Sequence, residues 1–240
     1  MYYFSHHASG CETAEGAIFL DFRTGKYLGL SSDHLDTFRR CISDWPAPAH
    51  AVLTASSSPL SGQSISMLTE LCRRGLLTES PGGPPAVRPQ DVPTPTATLA
   101  HDIHDSPGRA LRLWLDITLI LSIAYVGMNL KLNRLEKIIR HIQILKHRAA
   151  IHGSTPDAAR LRMIVSHFRR VSLWFYSRRN ECLFDSLVLT RYLYWHGIAP
   201  TLVFGVSTKP FSAHAWVQYS DVMLTDAAEL ALRTTPIFAT

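Results

Sequence analysis

The stretch from Asn180 to Gly197, NECLFDSLVLTRYLYWHG, constrains this chain more than any other. Phe184, Leu187, Val188, Tyr192 and Trp195 recur at helical spacing, Asn180 is placed to cap the helix start and Gly197 its end. Such a helix carries Cys182 in its first turn. There the unpaired backbone N–H groups and the helix dipole favour a negative group, here the thiolate that serves as a nucleophile. The same N–H groups would form one half of an oxyanion hole.

Strand-like segments follow. TLVFGV, from Thr201 to Val206, is rich in β-branched and aromatic residues; STKPFSA separates it from HAWVQY, which begins at His214, and VMLTDA begins at Val222. Successive strand side chains alternate between faces, so His214 and Asp226 meet only if the connection has the right parity. A three-residue loop at Tyr219 to Asp221 sets His214 opposite Asp226. A two-residue turn at Ser220 and Asp221 sends Asp226 to the other face unless a bulge restores the register. The expectation is an odd loop or a bulge. With that geometry Asp226 orients the His214 imidazole, which keeps Cys182 ionised and later protonates the leaving amine. Singly, each residue has an ordinary explanation: a core cysteine, a satisfied histidine, a turn-forming aspartate. Their joint order is what points to a catalytic triad.

That order resembles the papain-like transglutaminase fold. The strings CLFDSLVLTRYL, LVFGVSTKPFSAHAWVQ and LTDAAE, between Asn180 and Glu229, resemble the B proteins of lasso-peptide biosynthesis, which are leader peptidases. The resemblance implies that Cys182, His214 and Asp226 are the triad; Thr225 stands where most members carry Asn. It further implies a lasso-precursor leader peptide as substrate, hydrolysis of one peptide bond, and an ATP-dependent, asparagine-synthetase-like lasso cyclase as the partner that uses the freed amine. Two other readings share the same residues: acyl transfer to an amine or a cofactor thiol, and a non-enzymatic leader-binding chaperone with an idle triad.

Residues 1–80 read as a separate small module. YYF and AIFLDF (Ala17 to Phe22) suggest strands, RTGK a turn with Gly25 at positive φ, and YLGL a returning strand from Tyr27. DHLDTFRRCI and SISMLTELCRRGLL have helical periodicity. Strands with short helices suggest a winged-helix-like unit, and the hairpin followed by LSSDHLDTF resembles the PqqD-like precursor-recognition element. That resemblance implies capture of a leader as an added edge strand, with Tyr27, Leu28 and Leu30 and the helix residues Leu68, Leu71 and Cys72 forming the groove. The ordinary reading of these six is core.

From Ser80 to Thr98 the chain is crowded with proline, a semi-extended linker over residues 81–98 that tethers the module to a peptidase domain over residues 99–240. The expected class is therefore α+β: a small PqqD-type domain and a papain/transglutaminase-like cysteine peptidase domain. LWLDITLILSIAYVGMNL, within Leu111 to Leu132, is apolar, but Asp116 interrupts it and the remainder falls short of the ~20 residues a membrane span needs. It reads as a core helix, with a weak interfacial membrane contact as its other role. NRLEKIIRHIQILKHR is an amphipathic helix, and arginines continue up to Arg178 and Arg179.

Composition narrows the rest. The four cysteines, at 11, 41, 72 and 182, have no metal-ligand spacing, and no phosphate loop is present, so neither metal nor cofactor is expected and the thiols should be free. MYYFSHHASG lacks a basic region followed by an apolar core, which argues against a signal peptide and for the cytoplasm. A net charge of +5 with no basic cluster argues against nucleic acid.

Overall fold

The computed structural model describes residues 1–46, 61–81, 92–99, 108–152, 156–176, 182–225 and 231–240. In chain order its elements are β1 (Tyr3–Phe4), β2 (Ala8–Thr13), β3 (Gly16–Asp21), β4 (Lys26–Ser31), α1 (Leu35–Cys41), α2 (Gly62–Arg73), β5 (Leu77–Thr78), β6 (Ala97–Thr98), α3 (Arg109–Lys131), α4 (Leu135–His152), α5 (Ala158–Ser172), α6 (Cys182–Trp195), β7 (Thr201–Thr208), β8 (Phe211–Tyr219), β9 (Val222–Met223) and β10 (Thr235–Ala239). The chain divides into two units, one of Met1–Val92, Gly205–Ala213 and Thr234–Ala239, the other of Pro93–Phe204, His214–Arg233 and Thr240.

In the first unit β2, β3 and β4 form an antiparallel meander in that order. Gly25, at φ +66°, takes the left-handed conformation of the turn between β3 and β4. The alternation of AIFLDF sends Ala17 and Phe19 into a core with Phe38, Trp45, Leu68 and Leu71. Phe19 meets Phe38 edge-on at 5.5 Å and Trp45 at 5.6 Å. β1 pairs with β5, so the YYF segment is held by the strand that follows α2. The polar strand β2, ASGCET, carries little of the β-branched and aromatic signature and did not read as a strand. It is held by six backbone partners on β3, and its Glu12 carboxylate pairs with Arg39 and accepts from Trp45 Nε1 at 3.3 Å. β10 packs against β2 and β3; Ser9 Oγ donates to the Ile237 carbonyl and Phe22 meets Phe238 at 4.8 Å.

In the second unit α6 packs against α3, α4 and α5. Every residue of α6 from Asp185 to Leu193 is buried. Gly197, at φ +71°, ends the helix as its sequence position suggests, with the Ile198 N–H returning to the Leu193 carbonyl at 3.1 Å. β7, β8, β9 and β6 then neighbour one another in that order. The tail of the proline-rich stretch is part of this sheet: β6 runs parallel to β9, and the Thr96 and Leu99 N–H groups donate to the Asp221 and Met223 carbonyls, each at 2.9 Å.

Candidate active site

Cys182 is the first residue of α6 and is half-buried. Its expected cap, Asn180, lies outside the described residues, as do Arg178 and Arg179. Three contacts fix the first turns of α6. Tyr176 Oη donates to Asp185 Oδ1 at 2.8 Å while its ring meets Phe184 edge-on at 4.8 Å, and Ser186 Oγ donates to the Ala215 carbonyl at 3.0 Å. Ser186 stands one turn beyond Cys182 on the same helix face. α6 is thus tied to β8 one turn beyond Cys182, at the residue next to His214.

His214, Trp216 and Gln218 alternate along one face of β8 and hold one another in a row. The His214 and Trp216 rings lie 6.3 Å apart and nearly parallel, Trp216 Nε1 donates to Gln218 Oε1 at 2.9 Å, and Gln218 Nε2 donates to the Pro93 and Ser220 carbonyls at 2.8 and 2.7 Å. Burial pushes the His214 imidazole below its ordinary range, because a cation there would lose its hydration. Its Nε2 is buried without a hydrogen-bond partner among the described residues. A neutral imidazole with an unengaged nitrogen is the form a general base needs.

The connection from β8 to β9 differs from the expected three-residue loop. Tyr219 pairs with Val222 and Gln218 with Met223, so the turn is the two residues Ser220 and Asp221, with Ser220 at φ +55°. The left-handed conformation at Ser220 is what a two-residue hairpin turn requires at its first central position. An unbroken ladder of that register would set Asp226 opposite Ala215, but the regular pairing stops first. The Leu224 N–H donates to the Val217 carbonyl at 2.9 Å, whereas the Val217 N–H reaches Thr225 Oγ1 at 3.4 Å and the Leu224 carbonyl accepts from Arg169 at 3.0 Å. The Thr225 side chain thus takes the place of a backbone acceptor, and the parity of the turn is not carried past it. Asp226 lies outside the described residues.

The six groove residues proposed for peptide capture separate into two sets. Tyr27, Leu28 and Leu30 are half-buried on β4, an outer strand of its sheet, with Leu28 and Leu30 packed on the core. Leu68 and Leu71 are inside that core, each 1% exposed, and half-buried Cys72 packs against it. All four cysteines are free thiols, and no group of three or more His, Cys, Asp or Glu among the described residues is placed to hold a metal.

The model of the Transglutaminase-like superfamily matches residues 123–239. This segment is a transglutaminase-like domain. The superfamily includes cysteine peptidases and acyltransferases, and Cys182, His214 and Asp226 all fall inside the matched range. No curated protein and no solved structure gives a significant match. Within the transglutaminase-like domain, sequence reasoning missed Tyr176, Ser186, Trp216 and Gln218 as positioning residues. The period-two spacing of His214, Trp216 and Gln218 was readable in HAWVQY; the Ser186 bond was not, because its acceptor is a backbone carbonyl 29 residues away.

Proposed function

We propose that this protein is a cysteine peptidase that captures a ribosomally made lasso precursor and removes its leader by hydrolysing one peptide bond. The observation that carries the reading is the Ser186–Ala215 bond, which ties α6, one turn beyond Cys182, to the strand holding half-buried His214, whose neutral form burial favours.

The Cys182 thiol gives its proton to His214 as sulfur attacks the scissile carbonyl. Backbone N–H groups at the start of α6 stabilise the developing oxyanion. Collapse breaks the C–N bond, the imidazolium protonates the leaving amine, and the core departs with a free α-amine while the leader stays as a thioester on Cys182. Water, deprotonated by His214, then releases the leader as an acid and restores the thiol. Asp226 orients the imidazole in this scheme. No metal or cofactor takes part.

Recognition falls to the module of residues 1–80, joined through residues 81–98 to the peptidase of residues 99–240. The leader adds as a strand to β4, backbone bonds giving affinity and Tyr27, Leu28 and Leu30 giving side-chain specificity. Leu68, Leu71 and Cys72 lie behind as its floor. The freed amine is the substrate of the cyclase, and the setting is the cytoplasm.

Mass spectrometry of a lasso-type precursor, incubated with wild type and Cys182→Ala, each with and without the cyclase, tests the reading. Two hydrolysed fragments from wild type, and a loss of about 10⁴-fold or more in Cys182→Ala, are expected. A new amide or thioester product, or normal leader removal by Cys182→Ala, would overturn it. Tyr27→Ala should raise KM with kcat unchanged if β4 is the capture edge.

A further inference from the structure

α3 is apolar on two faces that have different fates. Leu115, Leu119 and Val126 are fully buried, and the helix packs by that side against α4, α5 and α6. Leu113, Ile117, Ile120, Leu121 and Met128 are between 42% and 61% exposed. Their spacing puts them along a single stripe about 20 Å long. Asp116, which interrupts the apolar run in sequence, leaves the stripe uncharged: its carboxylate is turned to Nε2 of the buried His167 at 3.0 Å.

Charge and aromatic rings surround the stripe in a definite pattern. Arg109 and Arg112 are exposed at one end of α3, Lys131 and Arg134 at the other. Trp114 and Trp195, 47% and 44% exposed, meet edge-on at 6.4 Å. Beside them Arg191 is 9% exposed, its Nε and Nη1 buried without a hydrogen-bond partner among the described residues, and its guanidinium lies 4.4 Å from the Tyr125 ring centroid and 5.5 Å from that of Trp195. The guanidinium is thus held against aromatic ring faces.

α3 is the one helix among the described residues that is long and apolar enough to cross a membrane, but its inner face is committed to the domain core. It can lie in an interface and cannot span one. Basic residues at both ends with tryptophans at the flank match the layered chemistry of an anionic bilayer: acyl chains, an interfacial belt and a negative surface.

We propose that α3, with Trp195, docks the protein in the plane of an anionic phospholipid surface. Leu113, Ile117, Ile120, Leu121 and Met128 enter the acyl boundary, Trp114 and Trp195 sit at headgroup level, and the basic residues at the helix ends meet lipid phosphates. The domain, and whatever chemistry it performs, is thereby held at the membrane.

Sedimentation of the full chain with phosphatidylglycerol-containing and with pure phosphatidylcholine vesicles tests this. Binding to the anionic vesicles alone is expected, weakened at least tenfold by Ile120→Glu with Leu121→Glu and independently by Leu113→Glu, all at exposed positions. Arg109→Gln and Lys131→Gln should each weaken it about fivefold, and added salt should do the same in a graded way. Absence of binding to anionic vesicles overturns the proposal. So does binding unchanged in the stripe variants, or a concentration-dependent oligomer that the stripe variants abolish with no vesicle binding.

Discussion

α3 and α6 look alike in sequence and live in opposite surroundings. Both are dominated by aliphatic and aromatic residues, yet α6 is enclosed from Asp185 to Leu193 while α3 keeps an apolar stripe in the open. They meet along a seam where α3 contributes Thr118 and Ser122, and where Thr118 Oγ1 and His196 Nε2 lie 3.0 Å apart just past the end of α6. An enclosed helix holds its first residue rigidly, which is what a nucleophile needs. A half-open helix spends one face on folding and keeps the other for association.

The contrast predicts unequal responses to the same kind of change. Leu187→Ala, in α6 at 0% exposure, should destabilise by about 3 kcal/mol within a range of 2–5, read by urea unfolding. A cost below about 1 kcal/mol would mean that α6 is not the enclosed helix described.

The seam itself should be acid-sensitive. Burial, followed by Arg160 and His167, pushes the His196 imidazole down from 6.5 to about 4. The unfolded chain then binds the proton first, so the stability present above pH ~6.5 is lost as pH falls toward 4, by about 3 kcal/mol in total. Unfolding followed between those limits should show this slope, and His196→Gln should flatten it.

Ser186→Ala removes the tie between α6 and β8. About 1 kcal/mol of stability should go with it. If the tie positions the thiol, kcat for precursor cleavage should fall roughly tenfold with KM retained, an effect of about 1.4 kcal/mol on the barrier. An unchanged kcat would make the bond structural only.

The smallest effect belongs to the open stripe. Ile120→Ala should shift unfolding by no more than about 0.5 kcal/mol, since the side chain is already 48% exposed. A loss comparable to that of Leu187→Ala would erase the distinction between the two helices.

Much of this organisation was readable in the residues, for identifiable reasons. The cysteine at a helix start, the glycine at its end and the strands carrying His214 all rest on local signals: periodicity, φ preference and β-branching. The hairpin from Ala17 to Leu30 was legible for the same reason. β2 was not, because its polar sequence becomes a strand only by pairing with β3. The Ala97–Thr98 strand was hidden inside a proline-rich stretch that composition assigns to a linker. The odd loop expected after β8 is a two-residue turn, and the ladder break beyond it was not legible because the Leu224 carbonyl is drawn to Arg169, 55 residues earlier in the chain.

By itself, then, the sequence determined the helices and strands that carry a clear period or β-branched signature, and which residue opens the central helix. Backbone preference and side-chain period act over a few neighbours, and the chain states them directly. Tertiary structure alone decided which face of α6 meets β8, that Asp116 turns to His167, and which apolar helix stays open. Those outcomes depend on contacts between residues far apart in the chain, where burial, desolvation and hydrogen-bond satisfaction are settled together.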